Sequence, residues 1–148
     1  MTLAEKQRML LAELTRPKDA QGRLSLVVER GRKLAPLPED RRLPEHQVPG
    51  CLSKLWLVME FKDGCCHFAC DSDSAVVKGI AGLLCEFYSG HTPREILAHD
   101  ASFLSQAGIT QHLTTNRRNG LGRVQEMIRD FASARLAENP TPAPERRG

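Results

Sequence analysis

The sequence predicts an α+β domain, a small antiparallel sheet packed against several helices. Three observations predict it. Two short apolar runs flank Lys62-Asp63-Gly64, and Asp-Gly is a favoured two-residue hairpin turn because the glycine accepts positive φ. Stretches of helical periodicity precede and follow that pair. Between the first helices and the hairpin runs a segment holding Pro36, Pro38, Pro44 and Pro49, which no helix interior tolerates.

Taken in order, Leu3 to Leu14 carries apolar residues at 3, 10, 11 and 14 among charges, which suits a short amphipathic helix stopped by Pro17. A second helix spans residues 19–34, with Leu24, Val27, Val28 and Leu34 on one side. Residues 34–49 form an extended connector over the surface. Residues 55–61 and 66–70 are the two strands, and residues 71–73 close the second and supply a helix cap, most simply Asp73. From 74 to 89, Val76, Val77, Ile80, Leu83, Leu84 and Phe87 recur at helical spacing. Gly79 and Gly82 among them would let another backbone come close, at some loss of helix propensity. Thr92-Pro93-Arg94-Glu95 fits a capping box opening a short helix to about Ala98. Asp100 can cap another through Gln106, stopped by Gly108. The last helix begins near Asn116 or Arg117 and ends near Ala137, showing Leu121, Val124, Ile128 and Phe131 on one face. Residues 1–137 therefore make one domain, and 138–148, with Pro140, Pro142 and Pro144, are expected to be a disordered tail.

Composition excludes several classes. A chain of 148 residues is a one-domain length with a modest core. The net charge of +3 is small, and no basic block is interleaved with aromatics, so a nucleic-acid partner is not expected. No apolar run could span a bilayer, and the N-terminus lacks a signal-peptide core, so no membrane partner is expected and a cytoplasmic location is. Five cysteines is an odd number without a disulfide framework, which fits thiols kept reduced.

Cys51 stands out by its place. In Val48-Pro49-Gly50-Cys51-Leu52-Ser53-Lys54-Leu55-Trp56, proline and glycine make a turn that delivers the chain to an apolar strand. A cysteine at such a junction is either a small buried hydrophobe or a thiol that can be presented and withdrawn, and on composition alone the first would be preferred.

Residues 45–56, then Asp71-Ser72-Asp73-Ser74-Ala75-Val76-Val77-Lys78-Gly79, then Thr110-Gln111-His112-Leu113-Thr114 with Arg117, Gly120 and Leu121 together resemble the SufE family. These are sulfur-acceptor proteins that work beside cysteine desulfurases in iron–sulfur cluster assembly. The order and spacing of the three patches match the family, and its Gly-Cys falls on Gly50 and Cys51. The resemblance implies an α+β fold and an active Cys51. It also implies two partners, a pyridoxal-phosphate-dependent cysteine desulfurase and an iron–sulfur assembly scaffold. No cofactor belongs to this chain, since the pyridoxal phosphate is the desulfurase's. Leu52 and Lys54 depart from the polar, glutamine-type residues of the family beside the cysteine, at positions that would meet the desulfurase.

A persulfide relay needs one accessible thiolate, with rate governed by thiolate fraction and access. Gly50 serves as the joint of the turn. Arg117, with Arg118, opens the last helix, where a cation gains nothing from the dipole, which hints at pairing with a partner's acid or favouring a thiolate. Asp73 and Arg117 are therefore supporting residues, and His112 takes no role. Cys65, Cys66, His67, Cys70 and Cys85 could be taken for a metal site, but strand alternation sends Cys66 and Cys70 one way and Cys65 and His67 the other, so no metal is expected. Two other classes remain open at this point: a scaffold for a nascent iron–sulfur cluster, and a redox sensor pairing Cys51 with a resolving cysteine such as Cys66.

Overall fold

A computed structural model describes residues 1–50 and 53–138. Helix α1 (Leu3–Leu14) opens with a capping box in which Thr2 and Glu5 satisfy each other's amides. Helix α2 (Ala20–Lys33) is capped by Asp19, whose carboxylate accepts the Gly22 amide at 2.7 Å. Strands β1 (Leu55–Lys62) and β2 (Cys65–Ser72) then form an antiparallel hairpin, and α3 (Ala75–Tyr88), α4 (Pro93–Ala98), α5 (Phe103–Gln106) and α6 (Thr115–Glu138) follow. The fold is α+β, as the sequence predicts.

The hairpin turn is made by Asp63 at φ 54° and Gly64 at φ 78°, the two positive values that a tight hairpin with right-handed strand twist requires. Its register pairs Leu55 with Ser72, Leu57 with Cys70 and Phe61 with Cys66. Leu55, Leu57, Cys66, Phe68 and Cys70 join the core, where the Phe68 ring meets Phe131 of α6 edge-on at 6.0 Å. Behind the hairpin lies α3, buried along most of its length.

Helix α2 packs on α3 by backbone contact. A β-carbon on Gly31 would sit 2.7 Å from the Gly79 nitrogen, and one on Gly79 would sit 2.3 Å from the Val27 carbonyl oxygen. The close approach expected at Gly79 is thus found, with Gly31 as its counterpart. Lys6 of α1 donates to the carbonyls of Glu86, Phe87 and Ser89 at 2.9, 3.0 and 3.2 Å, a cation satisfying the otherwise orphaned end of α3.

Two expectations change. The connector is not simply extended: residues 34–47 contain two 3₁₀ turns, Glu39–Arg41 and Pro44–His46. They form a strap across the outer face of the hairpin, where Arg42 lies over the Trp56 ring at 5.6 Å and Arg41 pairs with Glu60. The cap of α3 is Ser74, whose hydroxyl accepts the Val77 amide at 3.3 Å, not Asp73. The Asp73 amide is committed elsewhere, to the carbonyl of Lys54. Glu138, expected in the tail, is the last residue of α6, and the rest of the expected tail, residues 139–148, lies outside the described residues.

Candidate functional site: the segment between Val48 and Leu55

The segment that carries Cys51 leaves and rejoins the hairpin at two tied points. At the first, Val48, buried at 2 % exposure, donates its amide to the Leu55 carbonyl at 2.7 Å, and Gln47 bridges to Trp56. At the second, the Lys54 carbonyl accepts the Ser72 hydroxyl at 2.6 Å and the Asp73 amide at 3.2 Å. Pro49 and Gly50 are exposed between these points. Gly50 takes φ +83°, with no atom of the described residues within 4 Å of where a β-carbon would be, so among them the backbone and not crowding calls for glycine there. Cys51 and Leu52 lie outside the described residues.

Asp71 organises the base of this segment. It is buried, yet it accepts the Leu37 amide at 2.9 Å, the Arg42 guanidinium at 2.7 Å and the Ser72 amide at 2.8 Å, with the Lys78 ammonium 3.4 Å away. Burial alone would raise its pKa, but the Leu37 and Ser72 amides and the Lys78 and Arg42 charges outweigh it and hold the carboxyl below its ordinary value. One carboxylate thus joins the strap, the end of β2 and the first turn of α3. Sequence reasoning gave Asp71 and Ser72 no part beyond closing the second strand ahead of the helix cap. The available signal was the acidic and hydroxyl run 71–74 ahead of a helix, which reads as capping alone.

The supporting residues are not all brought together. Asp73 is exposed at the second tied point, and Gly50 lies in the same segment. Arg117 stands in the first turn of α6, exposed, its amide donated to the Thr114 hydroxyl at 3.3 Å. No hydrogen bond or ion pair links its side chain to Gly50 or Asp73 among the described residues. His112 is exposed in the 3₁₀ turn Thr110–His112.

Cys65, Cys66, Cys70 and Cys85 are all buried. Burial pushes the Cys66 thiol up to about 11, the neighbouring Cys65 adds to the rise, and Arg135 opposes it. Cys85 is raised well above its ordinary value by its hydrogen bond with Cys70 and by burial. Such thiols are poor nucleophiles at neutral pH, which counts against Cys66 as a resolving cysteine. Among the described residues, no three His, Cys, Asp or Glu side chains group closely enough to hold a metal ion. No helix there is long and apolar enough to cross a membrane.

An α+β domain with a tied turn ahead of its hairpin and a buried helix behind it is the class of protein this geometry defines. Comparison places it further. Residues 8–132 match the SufE family, described as the Fe–S metabolism associated domain. An uncharacterized SufE-like protein of Rhizobium etli is 36% identical over 124 residues, covering 80% of this chain and 84% of that protein. The solution structure of a hypothetical protein from Thermus thermophilus superimposes with a TM-score of 0.69 at 21% identity, over 93% of this chain and 99% of the other, a likeness of fold. The chain belongs to the SufE family, which is associated with iron–sulfur metabolism.

Proposed function

We propose that this protein accepts sulfur on Cys51 from a pyridoxal-phosphate-dependent cysteine desulfurase, stimulates that enzyme, and passes the sulfur to an iron–sulfur assembly scaffold. The observation that carries this reading is the position of the family's Gly-Cys pair. It falls in a segment tied at both ends to the hairpin, whereas the four described cysteines are committed to the core.

The desulfurase holds the sulfur as a persulfide on its own cysteine. The Cys51 thiolate attacks the outer sulfur, a new sulfur–sulfur bond forms at Cys51, and the old one breaks with its electron pair leaving on the desulfurase thiolate. No net oxidation occurs, so the protein itself needs no cofactor; the pyridoxal phosphate stays with the partner. The exposed Lys54 and Asp73 beside the segment, and Arg117 on α6, are the charged groups available to meet that partner.

The test is mass spectrometry of the Cys51 peptide after incubation with a cysteine desulfurase and free cysteine. One added sulfur on Cys51, with no stimulation of sulfide release by Cys51→Ser, is the expected result. Stimulation by Cys51→Ser equal to wild type would exclude the assignment.

A further inference from the structure

The hairpin has two outer edges, and the fold treats them differently. The Leu55 carbonyl accepts the Val48 amide, so Leu55, and by alternation Met59 and Phe61, turn their main-chain groups away from β2. Phe68 and Cys66, which face Met59 and Phe61 in the register, turn theirs away on the opposite edge. There each group is taken. The Cys66 amide donates to the His91 carbonyl at 2.9 Å, and the Cys66 carbonyl accepts the Gly90 amide at 2.8 Å. The Ser89 hydroxyl serves both the amide and the carbonyl of Phe68, at 2.9 and 3.2 Å. The edge of β1 is covered at its start, where Gln47 bridges to Trp56. Beyond that, no hydrogen bond from the described residues reaches the outward amides and carbonyls of Met59 and Phe61. Glu60, Phe61 and Lys62 are exposed, Phe61 at 37 % although it falls on the core-facing side of the strand. Such an edge is a template for another strand.

We propose that this edge pairs with the same edge of a second copy of the chain, antiparallel and two-fold about Glu60. The covered start of the edge selects that register. Pairing centred on Met59 would set Lys62 against Trp56 of the other copy, a place that Gln47 already holds. Centred on Glu60, the pairing sets Lys62 against Val58 and stays clear. Met59 then faces Phe61 of the second copy, and Phe61 faces its Met59, each pair exchanging both N–H···O bonds. Methionine meets phenylalanine on the core-facing side, a favourable sulfur–aromatic contact that covers the exposed ring. On the outer face the two Glu60 carboxylates meet. Each is already bound to its own Arg41, and each lies diagonal to Lys62 of the other copy, so the charges are matched. A two-fold contact of this kind closes on itself and uses up the edge. It is small beside the roughly 1,200 Å² of a stable interface, which makes the dimer weak and reversible, with a Kd on the order of 0.1 mM.

The test is sedimentation equilibrium of the full chain under a thiol reductant, so that no intermolecular disulfide contributes. The mass should be near the monomer's at about 5 µM and near twice that at about 1 mM. Amide exchange then locates the contact. The Met59 and Phe61 amides should be unprotected at the low concentration and protected at the high one, while Val58 and Glu60, bonded within the hairpin, are protected at both. Phe61→Pro removes an outward amide that β2 does not use and should leave a monomer at about 1 mM. Lys62→Glu, on an exposed side chain, should weaken the dimer several-fold without touching the core. A monomer at 1 mM would overturn the proposal, and so would a dimer that leaves the Met59 and Phe61 amides open or that survives both substitutions. Protection of these amides that is complete at 5 µM would assign the edge to another segment of this chain. Protection that appears only on adding a cysteine desulfurase would assign it to a strand of that enzyme. Either result excludes the second copy.

Discussion

Asp71 and Arg42 meet at 2.7 Å across the outer face of the hairpin, and through that contact the strap is fastened to the end of β2. The same carboxylate takes the Leu37 amide, so the strap is held at two places by one side chain. Since Ser72 follows Asp71 and donates its amide to it, the fastening of the strap also orients the hydroxyl that holds Lys54. The first approach to the Cys51 segment and its far end are thus set by neighbouring residues of one strand.

Asp71→Asn should destabilise the protein by about 1–3 kcal/mol, the range for a hydrogen-bonded charged group whose partners are left wanting. The loss stays below that of a fully buried pair because the Arg42 side chain is 36% exposed and returns to water. The pH dependence has a definite sign. The folded-state pKa of Asp71 lies below 3.8, so its contribution is present above that value and is lost as pH falls through the depressed folded value. Urea midpoints of wild type and Asp71→Asn should therefore differ most above about pH 5 and converge on acidification below pH 4. A gap that is constant down to pH 2.5 would show that the charge is not what matters.

Gly79→Ala should cost about 1–3 kcal/mol by overpacking, even though alanine is about 1 kcal/mol the better helix former. The added carbon would meet the Val27 carbonyl at 2.3 Å, which is backbone and cannot rotate aside, so α2 and α3 must part. Gly122→Ala is the control. It lies in α6 with nothing among the described residues within 4 Å of the new carbon and should be neutral or stabilising. Thermal melts of the two variants test this, and a Gly79→Ala as stable as Gly122→Ala would contradict the close approach.

These two sites show where the sequence was readable. Local signals carried over well. Helix α1 falls at Leu3–Leu14 as its apolar spacing and Pro17 require, the Asp63-Gly64 turn forms the hairpin, and Thr92 and Glu95 make their capping box. What was missed depends on distant partners. Gly31 reads as an ordinary helix glycine until α3 lies on it. Asp73 and Ser74 are equally good caps by type, and the choice was made by the Lys54 carbonyl, 19 residues upstream of Asp73, which takes the Asp73 amide. Asp71 was read only as part of the stretch that closes the second strand, because the strap that buries it is a proline-rich connector with no periodicity of its own. Cys51 is singled out by its turn and by family likeness, whereas the ties on either side of its segment are tertiary.

The remaining cysteines are expected to serve the core. Replacing Cys65, Cys66, Cys70 or Cys85 singly by alanine should leave sulfur transfer to Cys51 largely intact and lower stability by about 1–3 kcal/mol. For Cys66 there is an alkaline signature as well. Its folded pKa of about 11 exceeds the ordinary 9.0, so the folded state binds the proton more tightly, and stability should fall as pH rises from about 9 to 11. Denaturation across that interval should show a smaller fall in Cys66→Ala. Peroxide treatment of wild type should yield no Cys51–Cys66 disulfide on peptide mapping, and recovery of that peptide would reinstate the redox-sensor reading.

Gly50 provides the last prediction. At φ +83° it occupies the left-handed region, where an L-residue costs about 1–2 kcal/mol and a β-branched one is most strained. Among the described residues nothing lies within 4 Å of the missing β-carbon, so substitution disturbs the backbone of the segment and none of their packing. Gly50→Val should then lower Tm by only a few degrees. It should slow desulfurase-dependent persulfide formation on Cys51 by about tenfold, because valine resists both the resting turn and the dihedrals a swing would use. In the wild type, amide exchange across residues 48–55 should rise on binding the desulfurase, as expected of a segment that opens to transfer sulfur. Wild-type transfer by Gly50→Val, with unchanged exchange across the segment, would mean that it acts as a fixed platform and that sulfur reaches Cys51 without a swing.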